Sequence, residues 1–262
     1  MALSSSFFRH PHLVLARAIE HIDSLEAESK NFWTEQPWER FTEQSTQGSL
    51  TLIHHKVRLK APIPERCLTI AADALNNLRT VLDQAMTSSV VALGGNPKSV
   101  YFPFADSEQE MGNAIKGRCK GVPDEIKDLA RSFRPFPLGN PVLYAISHIS
   151  AGNRHRILAP VAAAIQGRYV NGLTIHSGGA YLVMTLPSEA WDAERQELTV
   201  LVVDTLTNVT FAITFGFELT FDDECLTAGI PAVGMLRDMA RIVESILMAI
   251  EAVTERLLAI RQ

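Results

Sequence analysis

The chain contains few cysteines, and their spacing excludes two kinds of structure. Only three occur in 262 residues, at Cys67, Cys119 and Cys225, and none belongs to a CxxC pair or a Cys/His cluster with metal-ligand spacing. We therefore predict no disulfide framework, no bound metal and no cofactor, and we place the protein in the reducing cytoplasm. The basic neighbours of Cys119 predict a lowered thiol pKa.

Long apolar runs and a strong excess of one charge are also missing. The first 22 residues, MALSSSFFRHPHLVLARAIEHI, contain charges too early for a signal peptide or a membrane span, so no membrane association is expected. A net charge of -5 argues against a surface generally covered in basic residues, as a nonspecific polyanion binder would have. With 47% hydrophobic residues, the chain is long enough to bury a large core.

Apolar residues at helical spacing predict several helices. The first covers about Pro11 to Trp33, and the second, opened by Pro64 and Glu65, continues to about Ala92. The apolar stripe of the second helix consists of Leu68, Ala71, Leu75, Leu78, Leu82 and Ala85. In a third, Asn140 is the expected N-cap, followed by Pro141 in the first turn and ended by Gly152.

Short runs of branched and aromatic residues fill a later block. One strand near a sheet edge is predicted in SLTLIHHKVRLKAP, and about five mainly antiparallel strands at 156–221. A long Met- and Ile-rich helix follows from Ile230 to Arg261. Because the strands are not interleaved with helices, the fold class is α+β, with a helical core of about four helices.

The chain contains no internal repeat, low-complexity tract or Ser/Gly linker that would mark a domain boundary. We therefore predict a single α+β domain over 1–262, with a helical part at 1–155 and 230–262 and a β-rich part at 156–221. The apolar face of the last helix is a candidate surface for homo-oligomer formation.

Polar residues on the second helix form the first candidate site. Asn76, Arg79 and Asp83 are three and four positions apart, so they line one stripe beside the apolar face. An Arg79–Asp83 ion pair at the edge of the core explains this spacing without any function. The functional interpretation needs a second group of polar residues nearby.

The NRHR stretch supplies that second group with Asn153, Arg154, His155 and Arg156. If the two apolar helices are neighbours, these residues approach Arg79 and Asp83. Arginines there would hold an anion or phosphodiester, and a histidine with a pKa of about 6.5 can transfer protons. The alternative is a structural network that satisfies the carbonyl groups at the helix end.

Three further motifs give weaker indications. The adjacent histidines His54 and His55 fall on opposite faces of a strand, which disfavours a shared metal ion. KGRCKG at 116–121 lacks the Walker pattern and is interpreted as a solvated turn. HSGG at 176–179 is interpreted as a hairpin turn, because no nucleophile elbow surrounds Ser177.

The blocks ALNNLRTVLDQA, YFPF and GNPVLYAISHISAGNRHRIL resemble a widespread uncharacterised family of bacterial and phage-associated proteins, over roughly residues 10–250. That resemblance supports pairing Arg79 and Asp83 with Asn153, His155 and Arg156. In the family, a His often follows the Asp, which is similar to the signature of HEPN ribonucleases. Here that position is Gln84, whose side chain cannot titrate.

Two functions follow from the candidate residues. The favoured one is a non-catalytic binding or assembly module, in which Asn76, Asn153 and Arg154 contact a ligand and the Arg/Asp/His cluster is a buried polar network. The alternative is a HEPN-like enzyme that processes RNA or a nucleotide, with catalytic residues Arg79, Asp83, His155 and Arg156. In that enzyme His155 is the general acid/base, and the arginines stabilise the developing charge.

Overall fold

The computed structural model describes residues 4–151, 158–163, 170–177, 182–184, 191–192, 194–213, 216–221 and 230–261. Within these ranges it contains six helices and nine strands, an α+β composition. The helices are α1 (Ser4–Thr34), α2 (Glu65–Ala92), α3 (Met111–Arg118), α4 (Asp124–Ser132), α5 (Pro141–Ala151) and α6 (Ala232–Arg261). The strands are β1 (Trp38–Gln47), β2 (Leu50–Leu59), β3 (Leu158–Ala163), β4 (Val170–Ser177), β5 (Leu182–Met184), β6 (Trp191–Asp192), β7 (Glu197–Asp204), β8 (Asn208–Ile213) and β9 (Gly216–Phe221).

The chain divides into two compact units. The first comprises Met1–Glu26, Leu68–Ile157 and Asp222–Gln262, and the second comprises Ala27–Cys67 and Leu158–Phe221. The described helices α3 to α6 fall in the first unit and all nine described strands in the second. The assignment of the whole chain to a single domain stays a prediction.

The helical unit is built on the apolar stripes of α2 and α6. Leu75, Leu78 and Leu82 on α2 are almost completely buried, as the sequence predicts for that stripe. On α6, Met235 and Met239 are buried, and the helix packs against α4 and α5. No described helix combines the length and the apolar character needed to cross a membrane.

The described strands pair only in antiparallel fashion. The largest sheet has the order β1-β2-β7-β5, with β6 also paired to β7. Two further pairs, β3 with β9 and β4 with β8, form separate two-stranded sheets. The antiparallel pairing and the long C-terminal helix confirm the α+β class, but seven described strands, rather than about five, fall within 156–221, and five described helices, rather than about four, accompany the C-terminal helix.

β2 is the second strand of its sheet, near the edge as the sequence predicts, and it pairs with β1 on one side and with β7 on the other. Its register against β7 shifts between His55 and Lys56, which accounts for the mixed alternation in its sequence. The sequence WERFTEQSTQ of β1 is mostly polar and exposed, so it carries no apolar alternation. Its pairing with β2 is supported by the cross-strand ion pairs Arg58–Glu39 and Lys56–Glu43.

Helix α1 also begins earlier than predicted. It starts at Ser4 rather than at Pro11, which lies inside the helix, and Phe8 in the added turns is fully buried. The predicted start of α5 is confirmed, because Asn140 Oδ1 accepts a hydrogen bond of 3.0 Å from the backbone N–H of Leu143. Gly152, the predicted end of that helix, lies outside the described residues.

Candidate functional site

The Arg79–Asp83 pair on α2 is present but is not a close ion pair. Arg79 Nε lies 3.7 Å from Asp83 Oδ2, and both side chains are one quarter exposed. A pair of this spacing on a helix is worth about 0.3–0.5 kcal/mol. The stronger interactions of both residues are therefore with other parts of the helical unit.

Asp83 holds the segment that follows α2. Its Oδ1 accepts a hydrogen bond of 2.8 Å from the backbone N–H of Phe102, whose side chain is fully buried. A buried N–H without an acceptor costs about 1–3 kcal/mol, so this contact outweighs the ion pair. Phe102 and Phe104 are both buried and meet edge to face.

Arg79 holds α5. Its Nη1 donates a hydrogen bond of 2.6 Å to Ser147 Oγ, and its guanidinium lies 4.8 Å from the centre of the Phe104 ring. A hydrogen bond with one charged partner contributes about 1.5–3 kcal/mol, and a cation–π contact at an exposed site about 0.5–1 kcal/mol. Arg79 and Asp83 thus fasten the FP segment and α5 to α2.

Burial governs the charges of this pair. Desolvation raises the pKa of Asp83, although the Phe102 N–H, Arg79 and Arg118 act in the opposite direction. Desolvation also lowers the pKa of Arg79, against the attraction of Asp83. Both shifts favour the neutral forms, so the loss of hydration outweighs the mutual attraction at 3.7 Å.

The remaining predicted site residues fall into two groups. Asn76 is exposed on α2, and its backbone carbonyl accepts a hydrogen bond from Thr80 Oγ1. Asn153, Arg154, His155 and Arg156 lie outside the described residues, so their approach to Arg79 stays a prediction. Gln84, at the position of the HEPN-type histidine, accepts a hydrogen bond of 3.0 Å from Nδ1 of His10 on α1.

A polar pocket of about 430 Å³ lies beside the Arg79 cluster. Ser147 and Phe104, which both contact Arg79, are part of its wall. Its lining consists of Phe104, Ala105, Asp106, Glu110, Asn113, Ala114, Arg118, Tyr144, Ser147 and His148. The volume is in the range of small-molecule sites, which are commonly about 300–1,000 Å³.

Apart from Asp106, which precedes α3, the polar residues of this pocket come from two short helices. Glu110, Asn113, Ala114 and Arg118 follow one face of α3, starting at its N-cap, and Tyr144, Ser147 and His148 follow one face of α5. Sequence reasoning missed them because it interpreted KGRCKG at 116–121, which includes the end of α3, as a solvated turn and sought no site there. The three- and four-residue spacing of their polar side chains was the signal that could have identified them.

The other candidate motifs lack the features of a reactive site. Cys119 is buried, and its pKa is raised to about 11 by burial, so the predicted lowering by basic neighbours was wrong. His54 lies 2.7 Å from Ser45 Oγ, and the ring of His55 meets that of Phe211 edge to face. Part of HSGG lies outside the described residues, and among the residues described no group of three or more His, Cys, Asp or Glu side chains has a metal-binding arrangement.

Comparison with protein-family models, with curated proteins and with solved structures finds no match for this chain.

Proposed function

We propose that the protein is a non-catalytic binding module whose ligand site is the pocket between α3 and α5. The observation that carries this proposal is the division of roles between neighbouring residues. Arg79 and Asp83 are engaged by Ser147, Phe104 and the Phe102 N–H, whereas the adjoining pocket presents carboxylate, guanidinium, amide and imidazole groups together. The pair supports the wall, and the pocket receives the ligand.

A non-catalytic role is favoured by the same contacts. A catalytic arginine must face the developing charge of a substrate, but the Arg79 guanidinium is directed to Ser147 and to the Phe104 ring. Gln84 cannot transfer a proton and bonds His10 instead. These residues therefore support a structural role for the cluster.

Ligand-induced stabilisation of the full chain tests the proposal. Thermal unfolding is measured with a panel of amino acids, polyamines, dicarboxylates and nucleoside monophosphates, for the wild type and for Ala114→Phe, which fills the pocket. A ligand that binds only the native state raises its Tm. We expect at least one compound class to raise the Tm of the wild type and not that of Ala114→Phe; equal responses in both proteins would contradict the proposal.

A HEPN-like enzyme acting on RNA is the second candidate, and one observation favours it. The charges of Arg79 and Arg118 both act on Asp83, so two arginines lie near one carboxylate. In this proposal His155 is the general acid/base and Arg156 a further cation. Cleavage of a mixed RNA pool by the wild type but not by His155→Ala would favour the enzyme, and equal or no cleavage would count against it.

The proposal also includes a homo-oligomeric state and a cellular location. Met248 and Ile260 on α6 are 58% and 75% exposed, which supports a homo-oligomer formed through this helix. Sedimentation of the wild type and Met248→Lys tests that surface, with a shift to monomer expected for the variant. We further propose a cytoplasmic location and a bacterial or phage origin; the described cysteines Cys67 and Cys119 are free thiols.

A further inference from the structure

The pocket carries opposite charges at the two ends of α3. Glu110 is the N-cap of this helix and Arg118 is its last residue, and both line the pocket. Eight helical steps separate them by about 12 Å along the axis. Glu110 and Arg118 each carry the charge that the helix dipole favours at that end of the helix, which explains their placement without a ligand. The residues that face them across the pocket supply the further evidence.

A second carboxylate lies among the lining residues. Asp106 belongs to the segment before α3, and its Oδ1 accepts a hydrogen bond of 2.8 Å from the hydroxyl of Tyr144 on α5. That bond holds the Asp106 carboxylate at the pocket wall. Asp106 and Glu110 can therefore both accept hydrogen bonds from a cationic group.

Aromatic rings form part of the wall on α5. The Tyr144 and His148 rings are stacked, with centroids 5.7 Å apart and planes inclined by 29°. Ring faces attract ammonium and guanidinium groups as well as flat apolar groups. The Tyr144 and His148 rings therefore add to the affinity of the pocket for a cation that binds to the Asp106 and Glu110 carboxylates.

The balance of charge decides the ligand class. The lining contains the carboxylates of Asp106 and Glu110 and the guanidinium of Arg118, a net charge of about -1 when His148 is neutral. A phosphate dianion would meet two carboxylates and one arginine, which disfavours a nucleotide. A ligand with one carboxylate and two cationic nitrogens complements every charged group of the lining.

We infer that this pocket binds a basic α-amino acid, with its carboxylate on Arg118 and its two cations, the α-ammonium and the side-chain group, on Asp106 and Glu110. This inference rests on the proposed function. A free amino acid and the C-terminal residue of a peptide share the same chemistry, and the volume of about 430 Å³ exceeds that of one amino acid. The experiment therefore includes both.

Calorimetric titration of the full chain uses four probes that differ in one feature each. L-Arginine carries all the charges, agmatine lacks the carboxylate, L-citrulline lacks the side-chain cation, and alanyl-arginine places the residue at a peptide end. We expect L-arginine to bind at least about tenfold more tightly than agmatine or L-citrulline, because each analogue leaves a charged group of the pocket without its partner. Tighter binding of alanyl-arginine than of L-arginine would identify the peptide as the source.

Two variants test which residue of the pocket binds which charged group of the ligand. Arg118→Gln should abolish the preference for L-arginine over agmatine, and Glu110→Gln should reduce the preference for L-arginine over L-citrulline. Lys116→Gln and Glu108→Gln remove the same charges from exposed residues outside the pocket and should leave both preferences intact. Thermal unfolding of all four variants confirms that they fold.

The outcomes separate this inference from the proposed function. If none of the four probes binds while another panel compound stabilises the wild type and not Ala114→Phe, the amino-acid assignment is wrong and the binding module stands. If no compound stabilises the wild type selectively, both are wrong. Preferences that survive Arg118→Gln also overturn the assignment.

Discussion

Arg79 on α2 donates a hydrogen bond of 2.6 Å to Ser147 on α5, and this contact defines the role of the conspicuous arginine in the LR-x-x-LD stretch. Ser147 is also a wall residue of the neighbouring pocket. The arginine therefore stabilises the position of a pocket wall without belonging to the pocket lining. Loss of Arg79 is expected to act on stability first and on binding through α5.

Replacing Arg79 by alanine should lower the free energy of unfolding by about 1–3 kcal/mol, because a charge-assisted hydrogen bond and a cation–π contact are both lost. Chemical denaturation of the wild type, Arg79→Ala, Ser147→Ala and the double variant measures the coupling between the two residues. Arg241→Ala is the matched control, since Arg241 lies in an exposed i,i+3 pair with Asp238 and should change stability by less than about 0.5 kcal/mol. Additive effects of the Arg79 and Ser147 substitutions would contradict the contact.

The raised pKa of Asp83 predicts a pH-dependent stability. The folded protein retains a proton on this carboxyl to a higher pH than the unfolded chain, so the wild type loses stability as the pH rises through that interval. Asp83→Asn keeps an oxygen that can accept from the Phe102 N–H but cannot titrate. We expect the stability of Asp83→Asn relative to the wild type to increase from the ordinary pKa of an aspartate up to the raised one, and to be constant above it.

Denaturation curves at a series of pH values between 3 and 7 check this expectation. Asp128→Asn on α4 provides a control for the removal of one carboxylate. A relative stability of Asp83→Asn that decreases as the pH rises would show that attraction to Arg79 outweighs the desolvation of Asp83.

The third prediction concerns Asn140, the N-cap of α5. Asn140→Ala removes the acceptor for the Leu143 N–H and should destabilise the protein by about 1 kcal/mol, whereas Asn140→Asp retains the acceptor and should cost less. Because α5 carries Tyr144, Ser147 and His148, the alanine variant should also weaken ligand binding at the pocket. Equal stability of the alanine and aspartate variants would contradict the capping role.

Because the thiols of Cys67 and Cys119 are buried, we expect both to react slowly with thiol reagents in the native protein. Cys119 is 1% exposed with a pKa of about 11, and Cys67 is fully buried with a pKa raised by burial. In a Cys225→Ser background at pH 8, a thiol reagent should label the native protein far more slowly than the same protein in denaturant. Comparable rates in the two conditions would contradict the burial of both thiols.

Local signals account for what the sequence predicts well. The apolar stripe of α2 and the Asn140 cap depend on residues within a few positions of each other, so their spacing alone identifies them. The neighbours of β2 and the partner of Arg79 depend on contacts far apart in sequence, with β7 and with Ser147. No periodicity within one segment specifies such a partner.

In the candidate site too, the sequence predicted the features set by neighbouring residues but not the contacts between residues far apart in the chain. Spacing placed Arg79 and Asp83 on one face, but it left their partners open between the NRHR stretch and the contacts now seen with Ser147 and Phe102. Part of the pocket lies on α3, a helix that the sequence defined weakly, since it has only eight residues and few apolar positions. A short helix acquires its structure largely from packing, which one sequence does not reveal.

The position of β2 between β1 and β7 has a consequence for synthesis of the chain on the ribosome. The β1–β2 hairpin leaves the ribosome well before β7, because α2, α3, α4 and α5 are encoded between them. Until β7 arrives, the edge of β2 that pairs with β7 has no strand beside it and is open to pairing with another nascent chain. Slow translation between these strands would therefore lower the yield of native protein, and a chaperone that covers the hairpin would restore it.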